Sequence, residues 1–217
     1  MAGVDGVRDR WVVAVVRAPD DVAWHVVPHA RDVLAASTGC AAVGVDIPMG
    51  LVERGRRRCD EEARRRLGRR ASSVFAAPVR AVLDAPDHRT APARSVALHG
   101  AGLSVQSWGL VPKIAQWDGL DLPPSVLEVH PEVSFRALAG ADLAGKRSAR
   151  GAVQRLRALA RWLHAGPLLD GLPDGVPLDD ALDALACAWT AARWARGRAE
   201  VLGGEPDALG KPMRIVV

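Results

Sequence analysis

Nowhere in the 217 residues is there a run of 18 or more apolar side chains, so no segment reads as a membrane span. Cysteine is scarce: Cys40, Cys59 and Cys187 are odd in number, scattered, and without a CxxC or other zinc spacing. That argues against a disulfide-stapled secreted domain and a thiolate zinc site, and predicts reduced thiols in a cytoplasm. The opening "MAGVDGVRDRW" places Asp5 where a secretion signal would be building its apolar stretch. Lysine is nearly missing; Lys113, Lys146 and Lys211 are the only ones among 29 Lys and Arg residues. There is no Gly-rich phosphate loop, because "GGEPDALGK" lacks the Gly-Lys-Ser/Thr finish. No Ser–His–Asp order stands out, and no internal repeat is visible.

What is there suits a folded enzyme or binding domain. Hydrophobic residues make up 49% of the chain, enough for a sizeable core. The length suits one domain over residues 1–217, with a helical and loop insertion at about 50–124. The formal net charge of +4 is too small and too mixed to define a nucleic-acid partner. An arginine-dominated cation set fits phosphate binding, and fits equally the codon usage of a GC-rich genome.

Residues 2–6, 11–17 and 22–27 are apolar runs separated by short polar gaps, which predicts an antiparallel meander. Residues 31–37 read as a short helix. "CAAVGVDIPMG" predicts a central strand covered on both faces. Pro48 has no N–H to give to a ladder, so the strand stops there and Asp46 lies at its carboxyl end. The insertion reads as a polar helix over 53–67, a Pro-, Asp- and Arg-rich loop over 84–95 and a helix over 96–114. "SVLEVHPEVSF" predicts a strand ending near Glu128 and Pro131, and residues 146–164 and 178–196 predict two closing helices. Hairpins first and α-linked strands after give an α/β fold: a mixed sheet with helices on its faces.

Three acids stand where acids are disfavoured. "DG" is a hairpin signal at Asp5, but a strand of four residues before it would be weak, and "VRDR" just beyond supplies a better turn. Asp5 therefore reads as an acid within a strand, where acids are depleted. Asp46 closes an apolar run, where a lone buried carboxylate costs several kcal/mol or takes up a proton; a divalent cation removes that penalty. Asp180 and Asp183 share one face of the last helix. Asp179 and Asp180 suit a helix N-terminus, whereas Asp183 lies a turn further in, followed by "ALACA", small residues that let a helix lie close on a sheet. Acids from distant positions that converge in this way suit Mg²⁺ or Mn²⁺, which take hard oxygen ligands. Paired ions of this kind cleave phosphodiesters.

In chain order, "GVDG", "GVDIPMGL", "RRCDEEARRRLGRRASSVFAAPVR", "LSVQSWGLVPKI", "EVHPEVSF" and "DDALDALACAW" resemble a family of unknown function whose members are described as predicted RNase H-like nucleases. The likeness spans nearly the whole chain. "DALDALA" is also similar to the last-helix motif of Holliday-junction resolvases. The resemblance implies a five-stranded mixed sheet in the order 3-2-1-4-5. It also implies a metal site of Asp5, Asp46 and Asp183, with Asp180 beside it. Resolvases usually carry Glu at the strand-four position; Asp46 shortens the reach by one methylene.

The remaining motifs have bland and functional readings. Glu128 and His130 in "EVHPE" would share a strand face; the resemblance implies a metal contact or general acid/base there, and the plain alternative is a polar strand end. The arginines between Arg54 and Arg70 form a solvated helix face with pairs such as Glu61–Arg65, or grip phosphates. Arg70, Ser72 and Ser73 suit a phosphate subsite. Gln106 and Lys113 in the insertion, and Lys146, are further substrate-binding candidates, because a retained lysine in an arginine-rich chain points to a needed compact charge. Trp108 suits base stacking or, more plainly, a core.

The expected function is a cytoplasmic, metal-dependent nuclease or phosphodiesterase acting on nucleic acid or a nucleotide. Its catalytic set would be Asp5, Asp46, Glu128, His130 and Asp183. The alternatives are a binding module on the same scaffold that does not cut and a phosphotransferase acting on a small phosphorylated metabolite. The arginine-rich helix over 146–164 equally suits docking of a second subunit in a homodimer.

Overall fold

A computed structural model describes residues 1–100, 102–164 and 168–217. Its strands are β1 (Ala2–Val7), β2 (Arg10–Ala18), β3 (Asp21–Val27), β4 (Val43–Val45), β5 (Val126–Glu128), β6 (Val201–Pro206) and β7 (Pro212–Val216). Among the described residues the α-helices are α1 (Ala30–Ala36), α2 (Arg58–Leu67), α3 (Ala91–His99), α4 (Val105–Asp118), α5 (Pro131–Ala139), α6 (Ala149–Leu159) and α7 (Leu178–Ala195). The chain forms two compact units. One comprises Met1–Ile47, Leu122–Glu200 and Val216–Val217; the other comprises Pro48–Asp121 and Val201–Ile215.

The first unit holds a mixed five-stranded sheet in the order β3-β2-β1-β4-β5. Strands β1, β2 and β3 form the antiparallel meander read from the apolar runs, while β4 is parallel to β1 and β5 parallel to β4. "VRDR" makes the first turn, with Arg8 at a φ of 48°, so Asp5 stays inside β1 opposite Val12. Strand β4 is shorter than its apolar run. Asp46 N–H still donates to Val4 O at 2.9 Å, but Ile47 N–H turns back to Val45 O at 3.0 Å, ahead of Pro48.

Helix α7 lies on β1, β2 and β4, and α5 and α6 pack against it. Pro177 precedes its first residue, and Asp179 and Asp180 occupy the first turn, where the backbone N–H groups favour acids. The sheet residues under these helices alternate with the pleat: Val12, Ala14 and Val16 of β2 join Phe135, Leu159, Leu182 and Leu185 in one core. Leu127 and Val129 meet Cys187 and Ala191 in a second. The alternate residues Val4, Val13 and Val15 are buried too, so both faces of the sheet are covered.

The strand read from "SVLEVHPEVSF" ends where expected, near Glu128 and Pro131, and helix α5 follows where no helix was expected. Pro131 opens this helix, with Glu132 in its first turn and Gly140 closing it in the left-handed conformation. The helix expected over 146–164 is shorter, starting at Ala149 behind the Ser148 cap, which leaves Lys146 on the preceding loop.

In the second unit the helix expected over 96–114 is two. Gly100, at a φ of 78°, ends α3, and Ser104 accepts a hydrogen bond from Ser107 N–H at 3.0 Å to cap α4. The loop expected over 84–95 gives way to α3 at Ala91, with Pro92 in the first turn. Strands β6 and β7 pair into a hairpin that polar, glycine-rich "GGEPDALGK" does not announce. Asp207 holds its turn, accepting from Leu209 and Lys211 N–H groups at 2.8 and 2.9 Å and from Leu51 N–H at 3.0 Å.

Candidate metal centre

The register of β1 on β4 pairs Val4 with Val45, so the next residues on each strand, Asp5 and Asp46, lie side by side and on one face. The third acid is delivered by close packing of α7. A Cβ added to Gly3 would lie 2.0 Å from Ala184 O and 2.2 Å from Ala188 N, and one on Gly44 would lie 2.5 Å from Cys187 O. Only glycine lets the helix backbone come this near two strands, and Asp183 immediately precedes Ala184. Carboxylate oxygens of Asp5, Asp46 and Asp183 all fall within 4.8 Å of one another, a group able to hold a metal ion. All three belong to the first unit.

The hydrogen bonds leave oxygens to spare. Gly6 N–H donates to Asp5 Oδ1 at 2.6 Å, and Lys146 Nζ donates to Asp183 Oδ2 at 2.6 Å. Asp183 Oδ1 is buried and accepts no hydrogen bond from any described residue. A buried carboxylate oxygen without a donor is costly, and a hard cation is the partner that an all-carboxylate donor set fits.

The electrostatics agree. Burial, then the charges of Asp46, Asp183 and Asp180, push the Asp5 carboxyl well above the usual aspartate range, with Lys146 pulling the other way. Burial first, then Asp183, lifts Asp46 to about 8, against the pull of Lys146. Burial lifts Asp183 to about 6, opposed chiefly by Lys146. Burial works against the Lys146 charge, but Asp183, Asp5 and Asp46 more than offset it and hold the ammonium above its ordinary value. Burial and the same three acids push up the Cys187 thiol, on the helix face toward the sheet.

The other sequence candidates fall in different places. Asp180, half-buried in the first turn of α7, adds its charge to Asp5 and Asp46. Glu128 pairs with Val45, so the pleat directs it to the face opposite Asp46; its charge nevertheless raises Asp46. His130 is half-buried just ahead of α5, and its carbonyl accepts from Val133 and Ser134 N–H groups at 3.0 Å. Arg70, Ser72, Ser73, Gln106 and Lys113 belong to the second unit. The first three lie on a 3₁₀ segment, Gly68–Ser73, in which Ser73 Oγ donates to Arg70 O at 2.7 Å. Gln106 is exposed on α4 and Lys113 is buried there. Trp108 packs against that unit's core of Val79, Val82, Ala91 and Val111.

Sequence reasoning missed the support beneath Lys146. Arg155 is fully buried and pairs with buried Glu132. It also donates to Ala144 O at 2.9 Å and Gly151 O at 3.1 Å, while Gln154 Oε1 accepts from Ala144 N–H at 2.8 Å. These bonds fix the loop from which Lys146 reaches Asp183. Arg155 is one arginine in a helix full of them, and only its place on the apolar side distinguished it.

A five-stranded mixed sheet in the order β3-β2-β1-β4-β5, with one acid inside its first strand, one just past its fourth and one on the last helix, defines an α/β protein with an acidic centre. The family described as "Protein of unknown function (DUF429)" matches residues 3–208, and the chain belongs to it. No curated protein and no solved structure matches the chain. Among the described residues no helix is long and apolar enough to cross a membrane, and all three cysteines are free thiols.

Proposed function

We propose that the protein is a divalent-metal-dependent hydrolase of phosphodiester bonds, acting on nucleic acid or a nucleotide, with Mg²⁺ or Mn²⁺ held by Asp5, Asp46 and Asp183. The observation that carries this reading is the meeting of three acids from three distant parts of the chain around an undonated Asp183 Oδ1. Asp180 adds negative potential from one turn away. When bound, the cation supplies Lewis-acid stabilisation of the charge that develops as water attacks phosphorus. Burial and mutual repulsion raise the carboxyls of this centre, Asp46 to about 8, so they must give up protons to hold the cation, and its binding is expected to tighten as pH rises through that range. Lys146, which reaches Asp183, is placed to meet the substrate's phosphate. Free thiols fit a reducing compartment.

The test is cleavage of single- and double-stranded DNA and RNA, and of a chromogenic phosphodiester, with and without Mn²⁺. Asp5→Asn and Asp183→Asn are expected to lose all metal-dependent turnover while keeping a native circular-dichroism spectrum. Wild-type-like cleavage by both variants overturns the assignment. Salt-sensitive nucleic-acid binding with no product and no need for metal would assign a binding module instead.

A further inference from the structure

We infer that Lys146 is a built-in counter-ion of the acidic centre, one that a divalent cation displaces from Asp183, so that the loop carrying it sets the metal affinity. This deepens the metal-centre reading and rests on it. Lys146 Nζ lies 2.6 Å from Asp183 Oδ2. The Asp183 side chain is 2% exposed and that of Lys146 33% exposed, so the ammonium covers a buried carboxylate from its solvent side. A hard divalent cation on the undonated Asp183 Oδ1 would share one carboxylate with the ammonium on Oδ2, and two cations in contact with one carboxylate repel each other.

The exchange asks for little movement. Arg155 and Gln154 hold the backbone at Ala144, and the Ser148 hydroxyl accepts from Gly151 N–H at 3.0 Å on the far side of Lys146. A new rotamer of one flexible four-carbon side chain between these anchors is enough. The rarity of lysine in the chain fits the role, since a compact ammonium yields its place more readily than a planar guanidinium fork. One consequence is an order of events: the contact of Lys146 with a substrate phosphate becomes available only after the cation has taken its place on Asp183.

Two measurements test this. Lysine acetylation with an N-hydroxysuccinimide ester, mapped by mass spectrometry, has only Lys113, Lys146, Lys211 and the amino terminus to report. Saturating Mn²⁺ is expected to raise labelling of Lys146 several-fold relative to Lys113 and Lys211. In calorimetric Mn²⁺ titrations Lys146→Met is expected to bind about tenfold more tightly than wild type. Lys146→Arg, which keeps the charge, is expected to bind no more tightly than wild type. Unchanged Lys146 labelling in Mn²⁺-saturated wild type, or equal or weaker Mn²⁺ binding by Lys146→Met, overturns the counter-ion. If Lys146→Met does not fold, the wild-type labelling decides alone. Absence of Mn²⁺ binding to wild type is a different result and overturns the metal centre itself, and this inference with it.

Discussion

Asp46 holds its proton to about 8 in the folded protein, whereas the unfolded chain releases it in the ordinary aspartate range. The native state therefore binds more protons than the unfolded state across that window. The stabilisation is complete below about pH 4 and is lost as pH rises through about 8. Thermal unfolding without divalent cations is expected to show stability declining over this range, with Asp46→Asn giving a shallower slope; an equal slope in the variant would remove Asp46 as the cause. Arg155 offers a second check at this scale. It and Glu132 are both buried, so Arg155→Met leaves a buried carboxylate alone and is expected to destabilise by about 3–5 kcal/mol. Chemical denaturation measures this, and the double variant with Glu132→Gln should recover much of the loss. Asp5 and Lys146 were readable one residue at a time, because an acid in a strand and a lysine among arginines are each out of place. Arg155 was not, because its neighbours in the helix are chemically alike and burial alone separates them.

At the level of elements, the centre depends on how closely α7 approaches β1 and β4. Gly3→Ala would put a methyl group 2.0 Å from a helix carbonyl oxygen, and Gly44→Ala one at 2.5 Å. Backbone atoms cannot yield as a side-chain tip can, so each change is expected to lower stability by at least about 2 kcal/mol and to weaken Mn²⁺ binding by lifting Asp183 off the strands. Denaturation midpoints and calorimetry read the two effects; a Gly3→Ala protein with native stability would show that the contact is slack. The small residues of "ALACA" announced this packing. The helix after Glu128 went unread because "EVHPEVSF" alternates like a strand, although Pro131 at its first position, Glu132 in its first turn and Gly140 at its end are helix signals. The hairpin of β6 and β7 was hidden for another reason: the Asp207 carboxylate holds it by accepting from backbone N–H groups, and such bonds leave no hydrophobic pattern.

Across the whole molecule, binding at one site must appear as stability. With free Mn²⁺ at a hundredfold excess over Kd, linkage contributes about 2.7 kcal/mol, a rise in Tm of about 5–10 °C for a chain of this size. The rise is expected in wild type and absent in Asp5→Asn and Asp183→Asn; an equal shift in those variants would place the binding elsewhere. The three acids lie in the first unit, whereas Arg70, Ser72, Ser73, Gln106 and Lys113 lie in the second.

The sequence by itself determined the meander, the stop of β4 at Asp46 and the last helix, because each rests on local facts: apolar periodicity, the missing N–H of proline, and acids at a helix start. Likeness to a family supplied the sheet order. Only the tertiary structure decided which polar groups meet. Strand register set Asp5 beside Asp46 and turned Glu128 to the other face, and two glycines let α7 bring Asp183 to them, with Lys146 already upon it. Those pairings join residues far apart in the chain, where local pattern carries no information about distance.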